Sequence, residues 1–414
     1  MSTIKPFKAI RPAKAFVKDV AALPYDVMNS EEAREMTKEN PYSFLHVDKA
    51  EIDLDKDVDL YDKKVYEKAR ENLNRMISSK VLIQDEKPCM YIYRLTMDGA
   101  SQTGLVVCTS IDEYIDGTIK KHELTREDKE QDRINHVDYC NANTGPIFLA
   151  YRQNNAVNEI IQNWTSSNKS EYCFETEDGI GQEVWVIDDF ETIKMLEEEF
   201  KNVPNLYIAD GHHRNASAVK VGLKRRKEKG NYTGEEEFNY YLSVMFPDNQ
   251  LRIMDYNRVV KDLNGLSKEE FIQKLKQKAE VKEVIGEYKP KKAHTVGMYL
   301  EGKWYSLEFK PEFININDPV EALDVSILQN EILNPILGIG DPRKDKRIDF
   351  VGGIRGLQEL VKRVDSKEMK VAFAMYPTSM QELMNIADAG KIMPPKSTWF
   401  EPKLRSGIFI HSLD

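Results

Sequence analysis

The sequence predicts an α+β fold, and two kinds of pattern indicate it. Residues 90–95 and 104–111 are apolar segments joined through Asp98-Gly99, a pair typical of hairpin turns. Residues 206–209 form a short apolar run, and helical spacing resumes after the polar turn Asp210–Asn215. Hairpins beside strand–turn–helix junctions therefore predict a mixed fold of sheets and helices.

Composition and charge restrict the class of protein. The chain has 414 residues, with 59 basic and 69 acidic residues and a formal charge of -10, and this length suits about two or three domains. A net acidic chain argues against a nucleic-acid partner. The four cysteines form no C-x-x-C pair, which favours a reducing compartment, and no apolar run reaches membrane-spanning length. We expect a cytoplasmic protein without a membrane partner, whose oligomeric state the sequence leaves open.

The N-terminal region contains three predicted elements. Asn29 and Glu32 have the spacing of a capping box at the start of a helix. The segment Asn40–Val47 indicates a turn that enters a strand. Residues 59–79 predict an amphipathic helix. The apolar face of that helix consists of Val65, Ala69, Leu73 and Met76.

A charged segment follows the hairpin and contains a candidate base. If residues 121–136 are helical, five basic side chains share one face by steps of +4 and +3. They are His122, Arg126, Lys129, Arg133 and His136. This face either binds an anion or is simply solvated. A zinc-protease motif is excluded because Arg126 stands where its second histidine is needed. Glu123 is a candidate general base.

Short apolar runs and helical spacing predict further elements between residues 147 and 256. The strands are 147–151, 184–187, 241–246 and 253–256, and the helix is 192–200. Arg258 follows the last of these strands, where an arginine could meet an anion.

The central feature of the sequence is the turn that follows Leu206–Ala209. Gly211 lets the backbone approach a ligand, and the next helix, which we expect to end at Gly222, directs its first N–H groups at the strand end. Asp210 could hold a metal ion or orient a hydroxyl. The other polar side chains of the turn, which suit phosphate oxygens, are His212, His213, Arg214 and Asn215. The alternative is a polar turn whose histidines cap the helix. Because open α/β sheets bind ligands at the carboxyl ends of their strands, we predict a phosphate site at the end of this strand.

The pattern changes near Lys261, and the remaining chain predicts a second α/β region. Its expected elements are a helix near 271–275, a hairpin of 294–300 and 304–309, a helix from Pro319, a strand–glycine–helix junction at 349–356, a strand at 371–377, and a helix capped by Ser379 and Glu382 that stops at Gly390. The glycine-rich junction is a structural turn or a weak anion site. In the tail, two prolines stiffen a loop that presents Lys396, Ser397 and Thr398, which suits a phosphate chain or an ordinary C-terminal strap.

Three of these stretches, in the same chain order, resemble motifs of the free serine kinases, enzymes with a ParB/sulfiredoxin-like fold. Asp210-Gly211-His212-His213-Arg214 resembles their D-G-H-H-R turn. Lys121-His122-Glu123 is similar to their P-H-E segment, whose glutamate is the catalytic base. Gly390–Thr398 resembles their C-terminal S-P-K-T-T loop, which contacts the phosphoryl donor. The chain as a whole resembles the DUF1015 family, whose members look like longer relatives of those kinases.

The resemblance implies a domain organisation. Residues 105–260 would form a ParB/sulfiredoxin-like catalytic core, residues 1–104 an N-terminal extension without a counterpart in the short kinases, and residues 261–414 a C-terminal α/β domain that closes the site. Two departures concern the substrates. Trp399-Phe400 replaces a basic pair after the donor loop, and Arg258 replaces an aromatic-rich substrate wall. The donor could therefore be a nucleotide, ADP or ATP, or inorganic pyrophosphate.

The resemblance and the residues together predict a small-molecule kinase that phosphorylates the hydroxyl of free L-serine to give O-phosphoserine. Phosphoryl transfer needs positioning, charge neutralisation and a base for the hydroxyl proton. The expected catalytic residues are Glu123 as base, Asp210, which would bind Mg²⁺ or align the hydroxyl, and His213. Expected phosphate and donor contacts are Gly211, His212, Arg214, Asn215, Lys396, Ser397 and Thr398, with Arg126 and Arg258 for the remaining substrate charge. The alternatives are a phosphoserine phosphatase or phosphotransferase on the same site, or a ParB-like nucleotide-sensing binding protein.

Overall fold

The computed structural model describes residues 1–414, which divide into two compact units. The first unit comprises Met1–Leu251 and Pro402–Asp414, and the second comprises Arg252–Glu401. The fold combines 13 α-helices with five β-sheets, so the predicted mixture of helices and sheets is confirmed. None of the helices combines the length and apolar character needed to cross a membrane, and all four cysteines are free thiols.

The helices, numbered in chain order, are α1 Val17–Val20, α2 Ser30–Thr37, α3 Leu45–Asp48, α4 Lys63–Ser78, α5 Ile111–Ile115, α6 Glu127–Cys140, α7 Asn155–Ser167, α8 Phe190–Phe200, α9 His212–Lys229, α10 Lys268–Lys278, α11 Asp324–Leu328, α12 Gly356–Asp365 and α13 Met380–Asp388. The strands are β1 Ile4–Lys5, β2 Ile10–Pro12, β3 Leu82–Gln84, β4 Met90–Met97, β5 Ala100–Ser110, β6 Ile119–Lys120, β7 Ala142–Asn143, β8 Ile147–Tyr151, β9 Tyr172–Glu175, β10 Gly181–Ile187, β11 Leu206–Asp210, β12 Tyr240–Pro247, β13 Arg252–Met254, β14 Tyr256–Val260, β15 Ala279–Val284, β16 Thr295–Leu300, β17 Lys303–Phe309, β18 Ile348–Gly352, β19 Val371–Ala374, β20 Trp399–Glu401 and β21 His411–Ser412.

A nine-stranded sheet organises the first unit. Its order is β6-β11-β8-β12-β5-β4-β10-β9, and β1 pairs with β5. The β6/β11 and β8/β12 pairs are parallel, and the other pairs are antiparallel. Apolar side chains of these strands, such as Ile92, Leu149 and Ile208, form its buried core. Residues 1–104, expected to be an extension, contribute β1 and β4 to this sheet, and two more two-stranded sheets, β2/β3 and β7/β21, lie in the same unit.

The second unit is built on a six-stranded antiparallel sheet of order β15-β17-β16-β19-β14-β18. Leu360 and Val364 of α12 pack with Val259 of β14 and Val351 of β18 in its core. A short ribbon of β13 and β20 holds the two ends of this unit together. The unit begins nine residues before the boundary predicted at 260/261, because β14 pairs with β18 and β19.

Local signals in the sequence agree with the structure. Both capping boxes form, at Asn29/Glu32 for α2 and at Ser379/Glu382 for α13. Asp98 and Gly99 turn between β4 and β5 with positive φ values of 52° and 77°. The predicted apolar face of α4, which consists of Val65, Ala69, Leu73 and Met76, is buried. These features depend only on neighbouring residues, so a single stretch of sequence suffices to specify them.

Three predicted elements are wrong in type or extent. The segment Asn40–Val47 ends in α3 and not in a strand, because Phe44, Leu45 and Val47 pack into the core beside α4. The helix expected from Pro319 begins only at Asp324. The strand predicted at 253–256 is interrupted at Asp255, whose buried carboxylate forms an ion pair with Lys289 and accepts a hydrogen bond from Asn257.

Gly222 does not end its helix, since α9 continues to Lys229. A Cβ at Gly222 would lie 2.5 Å from the carbonyl oxygen of Phe238 and 2.8 Å from Cδ1 of Ile111. The glycine therefore permits close packing in mid-helix, and it is not a C-terminal signal.

Gly222→Ala should destabilise the protein, although alanine favours helix by about 1 kcal/mol over glycine. Overpacking of this kind costs about 1–3 kcal/mol, so we expect a net loss of up to about 2 kcal/mol in the free energy of unfolding. Urea denaturation measures it. Lys227→Ala on the same helix is exposed and should change stability by less than about 0.5 kcal/mol. A more stable Gly222→Ala variant would show that Phe238 yields to the methyl group.

Asp324 at the start of α11 should make stability depend on pH. Its buried side chain accepts the His294 N–H through Oδ1 at 2.7 Å, and Oδ2 has no partner. Burial raises the pKa of Asp324 to about 7, against about 3.9 in an unfolded chain. The folded state therefore binds the proton more tightly, and stability present at low pH is lost as pH rises from about 4 to about 7.

Asp324→Asn should remove this loss, which amounts to at most about 4 kcal/mol at about 1.36 kcal/mol per pKa unit. Urea unfolding of both proteins between about pH 4.5 and pH 8 tests it. The exposed Glu312→Gln variant should follow the wild-type curve. Parallel curves for wild type and Asp324→Asn would mean that Asp324 is ionised in the fold.

Candidate functional site

The D-G-H-H-R segment joins β11 to α9, as predicted: Asp210 ends the strand, Gly211 makes the turn, and His212 begins the helix. Gly211 has a φ of +91°, in the left-handed region that favours glycine. A Cβ there would lie 3.2 Å from the Arg214 guanidinium, so the conformation favours glycine and a side chain would also crowd Arg214. The first N–H groups of α9 consequently point toward the end of β11, which is the arrangement that binds anions.

Asp210, the last residue of β11, forms an ion pair that the sequence did not predict. Its Oδ2 lies 2.9 Å from Nζ of Lys403, and its Oδ1 accepts the Gly211 N–H at 2.9 Å. Burial by itself would raise the pKa of Asp210, but the charges of Lys403 and Arg214 hold it well below its ordinary value. Asp210 is therefore ionised at neutral pH. Lys403 belongs to the C-terminal segment that returns to the first unit.

Two buried histidines lie beside the predicted base. His122 and His212 are 2% and 5% exposed, and their ring centroids are 4.5 Å apart in an edge-to-face arrangement. Burial lowers the pKa of His122 to about 4; burial, and then the neighbouring His122, lower the pKa of His212 well below its ordinary value. Both rings are thus neutral. Nδ1 of His212 lies 3.6 Å from Oε2 of Glu123, whose side chain is 42% exposed.

The pairing of β6 with β11 brings Glu123 to this place. The two strands are parallel, with Ile119 opposite Leu206, so the residues after β6 run beside the turn that follows β11. The predicted helical face is wrong in its first half, because α6 begins only at Glu127. Of the two alternatives for this face, the solvated one does not hold for Arg133 and His136, which are buried.

His213 is fixed in one tautomer. Its Nε2 accepts the backbone N–H of Arg126 at 3.0 Å, so the proton of the neutral ring is on Nδ1. Burial also lowers the pKa of His213. The Arg126 side chain is 71% exposed and pairs with Asp128 at 2.8 Å. The backbone of Arg126 orients His213. That the Arg126 side chain binds a charged group of the substrate stays a prediction.

Arg214 and Asn215 have different surroundings. Arg214 donates from Nη1 to the Pro146 carbonyl at 2.6 Å. Burial alone would lower the pKa of Arg214, but Asp26 and Asp210 raise it. Asn215 is fully buried and donates from Nδ2 to the Tyr241 hydroxyl at 3.3 Å. Asn215 is therefore packed between α9 and the sheet. Asp26, which belongs to the predicted N-terminal extension, adds a carboxylate near Arg214.

The second unit brings together Arg258 and the loop that carries Lys396–Thr398. Arg258 donates from Nη2 to the Lys396 carbonyl at 3.0 Å. Nζ of Lys396 lies 5.6 Å from the ring centroid of Tyr256. The Ser397 hydroxyl donates to the Pro394 carbonyl at 2.7 Å, so it is engaged within the loop, and Thr398 is half-buried.

The glycine-rich junction of this unit is a packing feature. A Cβ at Gly352 would lie 2.9 Å from the Trp399 ring, and one at Gly353 would lie 2.7 Å from Oδ1 of Asp255. These contacts account for both glycines without an anion.

The residues near Asp210 do not fit a resident Mg²⁺ ion. Magnesium needs near-octahedral oxygen ligands, usually one or two carboxylates together with substrate phosphates. Both Asp210 oxygens are engaged by Lys403 and Gly211, and no group of three or more His, Cys, Asp or Glu side chains could hold a metal. Asp210 as a metal ligand stays a prediction.

Comparisons with known proteins give one family and several distant structures. No curated protein matches the chain. Among solved structures, it is similar to a free serine kinase in complex with AMP, at 15% identity and a TM-score of 0.34, covering 74% of this chain and 91% of that chain. It is also similar to a conserved hypothetical protein from Pyrococcus furiosus, at 16% identity and a TM-score of 0.34, covering 74% and 95%. A third is SbnI with a C-terminal truncation from Staphylococcus aureus, at 10% identity and a TM-score of 0.38, covering 72% and 82%.

The family assignment rests on a much longer match than any single motif. The family model described as "Protein of unknown function (DUF1015)" matches residues 4–326, from the first strand through the D-G-H-H-R turn and into the second unit. The chain therefore belongs to the DUF1015 family, as its motifs predicted.

Proposed function

We propose that this protein is a small-molecule kinase with a ParB/sulfiredoxin-like core, which transfers a phosphoryl group from a nucleotide or pyrophosphate to the hydroxyl of free L-serine. One observation carries the proposal. The Glu123 carboxylate lies 3.6 Å from the neutral His212, at the glycine turn where α9 begins. A partly exposed base is thus set beside a turn suited to phosphate.

In the proposed reaction, Glu123 takes the proton from the serine hydroxyl. The serine oxygen forms a bond to the transferred phosphorus while the bond from that phosphorus to the donor's leaving oxygen breaks. The leaving oxygen keeps the electron pair, and the donor departs as a nucleotide or phosphate shorter by one phosphoryl group. Most of the catalysis is positioning and charge neutralisation.

The neutral histidines suit this step. Nδ1 of His212 lies 3.6 Å from Glu123, just beyond hydrogen-bonding distance. A small approach in the substrate complex would let the neutral ring donate to the carboxylate and orient it, without a full positive charge that would weaken it as a base. His213, with its proton on Nδ1 because Nε2 accepts from Arg126, has a donor to offer a phosphate oxygen. Arg214 and the first N–H groups of α9 neutralise the charge that develops on the phosphoryl group.

Product analysis tests the proposal directly. The full-length protein is incubated with L-serine, Mg²⁺ and each of ADP, ATP and pyrophosphate, and O-phosphoserine is measured by ³¹P NMR and mass spectrometry. We expect O-phosphoserine with at least one donor, formed far more slowly by the Glu123→Gln variant. Release of phosphate from O-phosphoserine in water alone would instead identify a phosphatase. Nucleotide binding with neither reaction would favour a sensing protein.

A further inference from the structure

A small polar pocket lies in the first unit and shares Arg214 with the D-G-H-H-R turn. Its walls come from the N-terminal region, from α6 and from the segment before β8. The polar residues that line it include Tyr25, Asp48, Arg133, His136, Thr144 and Arg214. Apart from Arg214, none of these belongs to the proposed phosphate site.

Two acceptor atoms in this pocket receive no hydrogen bond. Asp48 is buried, and its Oδ1 accepts the Thr144 hydroxyl at 2.8 Å, while its Oδ2 has no donor. His136 is also buried, and its Nε2 lies 3.0 Å from the Val47 carbonyl. Because a carbonyl oxygen only accepts, Nε2 carries a proton. Burial, and then the charge of Arg133, lower the pKa of His136, so the ring is neutral and its Nδ1 is an acceptor.

The pocket also contains hydrogen-bond donors. Nε and Nη2 of Arg133 lie 2.9 and 2.8 Å from Oδ2 of Asp132, and its Nη1 lies 3.4 Å from the Asp48 carbonyl. These contacts use three of the five N–H donors of a guanidinium, so two remain for a ligand. The ring centroid of Tyr25 lies 4.1 Å from Cζ of Arg133, and this stacking holds the plane of the guanidinium.

The charges of the pocket restrict the class of ligand. Two guanidinium groups, of Arg133 and Arg214, balance the carboxylates of Asp48 and Asp132. A phosphate dianion would face the Asp48 carboxylate and be repelled by it. A ligand without net charge that carries both an ammonium and a carboxylate group would satisfy the acceptors and the donors together. A free α-amino acid carries both groups on one carbon atom.

We propose that this pocket binds the main-chain groups of a free amino acid, with Asp48 and His136 at its ammonium group and Arg133 at its carboxylate. That this amino acid is the phosphoryl acceptor rests on the proposed kinase function. Arg214 lines the pocket and also belongs to the D-G-H-H-R turn, so an amino acid bound here lies beside the proposed phosphate site. The N-terminal region, through Tyr25 and Asp48, thus supplies part of the acceptor site.

Calorimetric titration of the full-length protein tests the pocket without any need for turnover. The ligands are L-serine, 3-hydroxypropionate, which lacks the ammonium group, and ethanolamine, which lacks the carboxylate. We expect wild type to bind L-serine at least about ten-fold more tightly than either analogue, because each analogue leaves one charged partner without its hydrogen bonds.

Two variants connect each group of the ligand to its residue. Asp48→Asn can still accept from Thr144, but its preference for L-serine over 3-hydroxypropionate should fall by about ten-fold, with no change in the preference over ethanolamine. Arg133→Lys keeps a positive charge beside Asp132 but loses the planar donors, so only the preference over ethanolamine should fall. Asp19→Asn removes an exposed carboxylate of the N-terminal region and should bind like wild type.

A merely structural role of these residues predicts a different result. It would weaken the binding of all three ligands equally, and that outcome would overturn the proposal, as would a wild-type protein that does not bind L-serine. If neither variant folds, as judged by thermal denaturation, NMR on wild type decides. L-serine should then shift the ¹⁵N resonance of His136 Nδ1, and an unchanged resonance would reject the pocket.

The pocket and the kinase proposal can fail separately. L-serine binding that depends on Asp48 and Arg133, in a protein that makes no O-phosphoserine with any donor, would keep the pocket and reject the kinase. O-phosphoserine formation by both variants with an unchanged KM for serine would keep the kinase and reject the pocket.

Discussion

Glu123→Gln should lower kcat for O-phosphoserine formation by about 10²–10⁴-fold, the usual contribution of a positioned general base. The amide is nearly isosteric with the carboxylate but cannot accept the serine proton. Because the Glu123 side chain is 42% exposed, the substitution should leave the fold and the donor affinity intact. Steady-state kinetics with ³¹P detection, together with calorimetric donor binding, measure both quantities.

Glu127→Gln is the matched control for this variant. Glu127 is exposed in the first turn of α6, four residues beyond Glu123, so it tests whether loss of any nearby carboxylate matters. It should keep nearly wild-type turnover. If Glu123→Gln also keeps it, the base lies elsewhere, and Asp210 and Asp26 are the next candidates.

Lys396→Ala should raise the KM of the phosphoryl donor by about 10- to 100-fold with little change in the KM of serine. An ammonium on a phosphate chain makes charge-assisted hydrogen bonds worth about 1.5–3 kcal/mol, and each factor of ten corresponds to about 1.4 kcal/mol. The loop is already ordered, since Thr378 and Arg258 donate to its carbonyls. Binding of the donor therefore causes little further loss of conformational entropy in this loop.

Lys391→Ala provides the comparison for Lys396→Ala. Lys391 lies in the same tail but pairs with Asp318 and is 43% exposed, so its loss changes the net charge equally. It should leave both KM values near wild type. A Lys396→Ala variant whose serine KM rises while the donor KM stays constant would show that this loop recognises the acceptor.

The fold predictions that are correct depend on interactions between residues close together in the sequence, whereas the incorrect ones depend on contacts with distant parts of the chain. The capping boxes of α2 and α13 require side chains three residues apart, and the β4–β5 hairpin requires Asp98-Gly99. Such signals are local and are visible in any single stretch. The type of Asn40–Val47 depends instead on packing beside α4, and the role of Gly222 within α9 depends on a carbonyl sixteen residues further along the chain. In both cases the residue that makes the deciding contact lies far along the chain, so the local sequence does not reveal it.

The same distinction applies to the candidate site. The turn Asp210–Arg214 could be predicted because glycine, histidines and arginine follow an apolar strand directly. The sequence also indicated Glu123, first as a candidate base in a charged segment and then by resemblance, although its predicted helical setting was wrong. His122 and Lys403 were missed as site residues. Lys403 lies 193 residues beyond its partner Asp210, and no spacing rule relates two residues so far apart.

By itself, the sequence determined the mixed α/β class, the D-G-H-H-R turn between a strand and a helix, and membership in the DUF1015 family. The tertiary structure decided the electrostatic state of the site. Burial makes His122 and His212 neutral, while the returning C-terminal segment keeps Asp210 ionised. The physical reason is that charge depends on desolvation and on partners brought from distant positions. Local sequence specifies which groups can ionise, and only the packed chain determines which of them do.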